Sequence, residues 1–258
     1  MTDAAQYLDI DGIRIAYRAQ AGAPPGVAWL GGYRSDMLGT KAEALAAWAA
    51  GRGHAFLRHD YSGHGESGGD FADGTISKWL AESLAVFRSL TQGPQIVVGS
   101  SMGAWIALRL AQELREAGEG GRLGGLVLLA PAPDFTKELV EPSLTAAQRK
   151  ALAEQGYFEA PSEYDSSPYV YTRALLQDGD KNLVMTGPID THCPVHILQG
   201  MADHDVPHTH ALKLASLLPA DDVTLALIPD GDHRLSRPQD LEMLVRAVEG
   251  MIERIAGA

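Results

Sequence analysis

The stretch "IVVGSSMGAW", Ile96 to Trp105, limits the possible folds more than any other in the chain. A run of β-branched residues reads as a buried strand, while the residues from Ala104 to Glu116 favour helix. Only a few residues remain for the turn between them, and Gly99 and Gly103 fence it. Glycine is the residue that tolerates so abrupt a reversal. The result is a strand, a tight turn and a helix, with Ser101 held in a strained, exposed position above the sheet. The pattern Gly99-Ser100-Ser101-Met102-Gly103 is the Gly-x-Ser-x-Gly elbow. Ser100 is its neighbour, but only Ser101 occupies the central place.

The same β-then-α rhythm runs through the rest of the chain. "YLDIDG" and "IRIAYRA" flank the Asp11-Gly12 turn and predict an edge hairpin. Strand "GVAWLGG", helix 38–50, strand "HAFLRHD", helix 76–90, strand "QIVVGS", helix 104–116 and strand "LGGLVLLAP" follow. Ile76, Leu80, Leu84 and Phe87 recur at helical spacing, which marks a packing face. Strand "PVHILQG", helix 209–218, strand "VTLALIP" and helix 238–255 close the series. Such an order predicts an α/β fold: one domain over 1–258, with a mostly parallel eight-stranded sheet and helices on both faces.

Between about 131 and 193 the rhythm breaks. This segment holds a helical stretch at 145–155 and the aromatics Tyr157, Phe158, Tyr164, Tyr169 and Tyr171. It is too long for a connecting loop. We read it as a small cap inserted after the sixth strand, against the simpler alternative of an excursion that only covers the sheet edge.

Bulk composition narrows the partners. With 33 acidic against 21 basic residues the formal net charge is −12, which disfavours nucleic acid and anionic membrane surfaces. No apolar run approaches the roughly 20 residues of a membrane span, so no stable membrane insertion is expected. The single cysteine, Cys193, forms no intramolecular disulfide and is expected to be an inert half-buried thiol. The opening residues have neither a secretory nor a transit-peptide pattern, and the cytoplasm is the expected location.

A serine hydroxyl is a weak nucleophile, so Ser101 needs a base within reach and that base an orienting acid. In doubly wound hydrolases these follow in the order Ser, Asp or Glu, His. "LQGMADHDVP" places Asp203 just past one late strand, and "LIPDGDHRLS" places His233 just past the next. Both loops lie at the carboxyl edge of the sheet, where such folds collect ligands. Ser101 is therefore the candidate nucleophile, His233 the base and Asp203 the acid; Asp205 remains an alternative acid. Asp230 and Asp232 read as turn formers beside His233. Oxyanion donors are expected from the backbone N–H of Met102 and from the loop containing Gly31-Gly32, where Tyr33 N–H is the candidate. His204, His208 and His210 have spacing compatible with zinc, but no matching ligand set accompanies them, so no metal and no cofactor is expected. "HDYSGHGESGG", residues 59–69, is not a phosphate cradle and reads as a scaffolding turn.

The combination resembles the α/β-hydrolase fold, and "DYSGHGESGG" is similar to the loop of branches that include monoacylglycerol lipases and serine aminopeptidases. "LGGYRSDMLGTKA", "DYSGHGESGGDFADGTISKWL", "GSSMGAW" and "GDHRLS" are similar to the mycophenolic acid acyl-glucuronide esterases, also described as palmitoyl-protein thioesterases, and their bacterial relatives. That likeness implies the same three residues, Ser101, Asp203 and His233, and a substrate that is a small acyl ester, a thioester or an acylated protein. Two other readings stay open. An aminopeptidase would need a carboxylate for the substrate's ammonium, and none is identified. A receptor-like protein of the same fold would bind ligand with little turnover. Oligomeric state is not legible.

Overall fold

Three adjacent strands set the architecture because their side chains alternate between two apolar layers. In β3 (Ala23–Leu30), β5 (Gln95–Ser100) and β6 (Leu123–Leu129), Val27, Trp29, Ile96, Val98, Val127 and Leu129 enter one core. Ala28, Leu30, Val97, Leu126 and Leu128 enter the other. Strands buried on both faces carry near-continuous apolar runs, as these do. The computed structural model describes residues 4–161, 168–218 and 223–256.

The remaining sheet strands are β1 (Gln6–Ile10), β2 (Ile13–Gln20), β4 (His54–His59), β9 (Val195–Gly200) and β10 (Val223–Ile228). The eight stand in the order β1-β2-β4-β3-β5-β6-β9-β10. β1 pairs with β2, and β2 with β4, in antiparallel register; every later pairing is parallel. The hairpin at Asp11-Gly12 and the mostly parallel eight-stranded sheet are as the sequence predicts.

The path moves one way from β3 to β4 and the other way from β4 onward. Right-handed crossovers in opposite directions lie on opposite faces. Accordingly α1 (Thr40–Arg52) packs on one face, joined there by α8 (Pro238–Ala256). Helices α2 (Ile76–Leu90), α3 (Met102–Glu116) and α7 (His208–Leu217) pack on the other. The reversal leaves a crevice beyond the carboxyl ends of β3 and β5, the place where open α/β sheets bind ligands.

Between β6 and β9 the chain forms a π turn at Thr136–Val140, short helices α4 (Glu141–Ser143), α5 (Ala146–Glu154) and α6 (Arg173–Gly179), and strands β7 (Tyr157–Ala160) and β8 (Tyr169–Thr172). A reciprocal capping box between Thr145 and Gln148 starts α5. The antiparallel β7–β8 ribbon is not anticipated by the sequence analysis, which reads its aromatics only as a cluster. Tyr164 lies outside the described residues.

Candidate active site

Ser101 sits where the sequence expects it, at the junction of β5 and α3, with φ +55° and ψ −118°. That is a costly backbone for a residue with a Cβ. Two close approaches explain its glycine neighbours. A Cβ on Gly99 would stand 2.5 Å from the Gly103 carbonyl oxygen, and one on Gly103 would stand 2.2 Å from the Leu30 carbonyl oxygen. The helix is thus pressed against β3 and its own entering strand. The Ser101 N–H donates to the Leu129 carbonyl at 2.9 Å, which pins the turn to β6.

The sheet brings His233 and Asp203 to this point from the ends of β10 and β9. His233 Nε2 lies 3.1 Å from Ser101 Oγ, and His233 Nδ1 lies 2.8 Å from Asp203 Oδ2. With a carboxylate facing Nδ1, the proton resides there, and the bare Nε2 accepts from the serine hydroxyl. The Asp203 side chain is wholly buried and that of His233 15% exposed. Asp203 Oδ1 accepts from the N–H groups of Asp205 and Val206 at 2.9 and 2.8 Å. Between the two acids the sequence leaves open, it is Asp203 that hydrogen-bonds His233 through Oδ2, while its other oxygen organises the turn containing Asp205.

Gln199 is a neighbour of Asp203 that the sequence reading misses. Wholly buried, it directs its amide N–H groups at the Gly200 and Val206 carbonyls, at 2.9 and 3.1 Å, and at Asp203 Oδ2, at 3.2 Å. A glutamine in the otherwise apolar "VHILQG" was the available signal.

The loop after β3 lies opposite. Tyr33 and Met102 line one cavity of about 460 Å³ together with Ser101 and His233. Met102 is the first residue of α3, where a helix leaves its N–H without an internal acceptor. The β6–β9 excursion furnishes much of the cavity wall, including the apolar side chains of Phe135, Leu139, Val140, Phe158 and Tyr171.

The "scaffolding" loop of residues 59–69 holds this strand-end loop in place. Arg34 N–H donates to His64 Nε2 at 3.2 Å, so His64 Nδ1–H faces the Ser62 carbonyl, 3.1 Å away. Burial keeps His64 neutral, with its pKa lowered to about 4. Asp60 accepts from the N–H groups of Met37 at 2.6 Å and Glu66 at 2.8 Å. Its own burial, only partly offset by those bonds, raises its carboxyl to about 6.

The other candidates separate. His204 lines the apolar cavity, whereas buried His210 donates to the Pro133 carbonyl at 2.8 Å. Among the described residues no group of three or more His, Cys, Asp or Glu is placed to hold a metal ion. Asp232 accepts from Leu235 N–H at 3.0 Å, as a turn former does, whereas the Asp230 carboxylate pairs with the Arg237 guanidinium at 2.7 Å. Cys193 is buried. No described helix is long and apolar enough to cross a membrane.

Comparison with known proteins gives the chain a family. The chain is 32% identical over 243 residues to the mitochondrial palmitoyl-protein thioesterase ABHD10 of Mus musculus, covering 94% of this chain and 80% of that one. A solved structure of alpha/beta hydrolase domain-containing protein 10 from mouse superposes with a TM-score of 0.88 at 30% identity, over 98% of this chain and 99% of that chain. A putative hydrolase from Agrobacterium vitis S4 is 55% identical, with a TM-score of 0.93 over 96% and 98% of the two chains. The model of the alpha/beta hydrolase family matches residues 22–244; the chain belongs to that family.

Proposed function

We propose that this protein is a serine hydrolase that cleaves carboxylic esters or acyl thioesters through an acyl-enzyme on Ser101. The observation that carries the reading is the continuous relay from Ser101 Oγ to His233 and Asp203, at 3.1 and 2.8 Å, built on a strained elbow. In this mechanism His233 Nε2 takes the serine proton as Oγ attacks the acyl carbon. Asp203 holds the tautomer and stabilises the imidazolium. The N–H groups of Met102 and Tyr33 receive the negative charge that develops on the carbonyl oxygen. His233 then gives its proton to the departing oxygen or sulfur. Water, deprotonated by the same imidazole, releases the acid and frees Ser101.

The cavity of about 460 Å³ beside Ser101 suits a medium or long acyl chain, since Phe135, Leu139, Val140 and Phe158 give it a run of aliphatic and aromatic wall. The printed name of the mouse relative, a palmitoyl-protein thioesterase, supports an acyl substrate, on a small molecule or on a protein. The proposed compartment is the cytoplasm, which suits a lone buried cysteine; the name of the mouse relative says mitochondrial, and cell fractionation decides.

The test compares initial rates on one acyl group presented as oxygen ester, thioester and acyl glucuronide, with Ser101→Ala as blank. Serine-dependent turnover of at least one is expected. If every rate equals that of the Ser101→Ala protein, the hydrolytic reading falls.

A further inference from the structure

Two cavities meet at Ser101, and their chemistry differs. The apolar one lies under the β6–β9 excursion. A second, of about 270 Å³, opens on the α1 side and shares Tyr33, Ser101, Tyr169 and His233 with the first. In the hydrolytic reading, a substrate whose acyl chain fills the first cavity turns its leaving group toward the second.

The lining of the second cavity runs against the rest of the molecule. In a chain of formal net charge −12, it collects Arg34, Lys41 and Arg234 against one carboxylate, Asp36. Lys41 is the second residue of α1, a cation at the positive end of a helix dipole, where acidic side chains are preferred. Its ammonium donates to the Arg234 carbonyl, and burial, reinforced by the Arg234 charge, lowers its pKa to about 8. Arg34 has positive φ, +58°; its guanidinium donates to the Pro168 carbonyl and lies over the Phe71 ring, 5.4 Å from the centroid, at the border between this cavity and the next. Local rules are broken in this way where a site requires it.

An independent observation comes from the floor. Trp29 also lines this cavity and is 2% exposed, yet its indole N–H has no acceptor among the described residues. A buried donor left unpaired is costly and needs an explanation. An oxygen of a ligand supplies one.

We propose that the cavity on the α1 side of Ser101 binds the leaving group and selects one bearing a carboxylate or phosphate, held by Arg34, Lys41 and Arg234 with Trp29 Nε1–H as the buried donor. This deepens the hydrolytic reading and rests on it. The cations act on binding and on the departing anion, not on the attack at the acyl carbon.

Three octanoyl esters test it, with 3-hydroxybenzamide, its isostere 3-hydroxybenzoate, and 3-hydroxyphenyl phosphate as leaving groups. The expected kcat/KM for one or both anionic esters exceeds that of the amide ester by about tenfold or more, the worth of a charge-assisted hydrogen bond. Which of the two leads separates a carboxylate from a phosphate site. The ratio to the amide ester, read within each protein so that a general loss of activity cancels, falls at least about fivefold in Lys41→Met, Arg234→Gln and Trp29→Phe. Lys41→Arg restores it, and added salt compresses it in the unaltered protein. A ratio near one, or one that these substitutions leave unchanged, overturns the proposal. Calorimetric binding of 3-hydroxybenzoate against 3-hydroxybenzamide reads the same preference without chemistry. If no ester is turned over the hydrolytic reading fails, while a carboxylate preference lost in Lys41→Met upholds the anion site; equal binding of the two overturns it.

Discussion

The ring of Tyr33 stacks on that of Tyr171, with centroids 5.4 Å apart and planes 4° from parallel. One residue belongs to the loop after β3 and the other to β8, so the stack couples the proposed oxyanion loop to the ribbon that walls the acyl cavity. The Tyr33 hydroxyl adds a bond to the Val170 carbonyl, and burial pushes its pKa well above the usual phenol range. Tyr33→Phe keeps the stack and loses about 1 kcal/mol of stability with the hydrogen bond. Tyr171→Ala removes the stack, worth about 0.5–1.5 kcal/mol beyond area burial, and raises KM for a long acyl ester more than for acetate. Urea melts and a chain-length series check both. Equal KM changes for long and short esters would contradict the assignment of this wall to the acyl chain.

Strain at the elbow predicts an inverse relation between stability and activity. Ser101→Ala and Ser101→Gly both lose turnover, by at least about 10³-fold. Only glycine relieves the positive φ, so Ser101→Gly is expected to be more stable than Ser101→Ala by about 1 kcal/mol. Thermal unfolding of the two proteins side by side measures it; identical midpoints would show that the turn stores no strain.

Asp203→Asn preserves shape but removes the acceptor that fixes the His233 tautomer. A loss in kcat on the order of 10⁴-fold is expected. Asp205→Asn is expected to retain most activity, because Asp203 makes the hydrogen bond to His233. Gln199→Leu keeps volume and drops the amide that ties Asp203 to Gly200 and Val206; kcat should fall by about 10- to 100-fold, since small misplacements of a catalytic group are costly. A Gln199→Leu enzyme with unaltered kcat would reduce that residue to packing.

His64 predicts a pH dependence of stability. Its pKa is lowered from 6.5 to about 4 in the fold, so below pH 6.5 the unfolded chain takes up a proton that the native state refuses. The contribution of neutral His64 is complete above pH 6.5 and is lost as pH falls toward 4, by up to about 3 kcal/mol. Asp60, raised to about 6, works in the opposite direction over much of the same range, so the clean measurement is a difference. His64→Gln can still accept from Arg34 N–H but has no proton to gain. The gap between the unaltered protein and this variant should narrow by about that amount between pH 7 and pH 4 in denaturant titrations. A gap independent of pH would mean that His64 takes up its proton at the same pH in the folded and unfolded chain.

The sequence alone determined the order of elements, the elbow at Ser101 and the loops that carry Asp203 and His233. These depend on local information: β-branched runs, helical spacing of apolar residues, turn glycines and chain order. Helix boundaries differ from expectation by a few residues, as for α1 at Thr40–Arg52 against an expected 38–50, because caps and packing rather than periodicity set the ends. Tertiary structure alone decided which acid meets His233, for Asp203 and Asp205 are two residues apart in one turn and only its folded path separates them. It also decided that His64 supports the loop after β3 from 30 residues away, and that the β7–β8 ribbon stacks on Tyr33. Trp29, Arg34, Lys41 and Arg234 meet around one cavity for the same reason: the reversal of strand order beside β3 places α1 and the end of β10 around a single crevice. Pairings across so many residues are chosen by sheet order, which no short window of the chain contains.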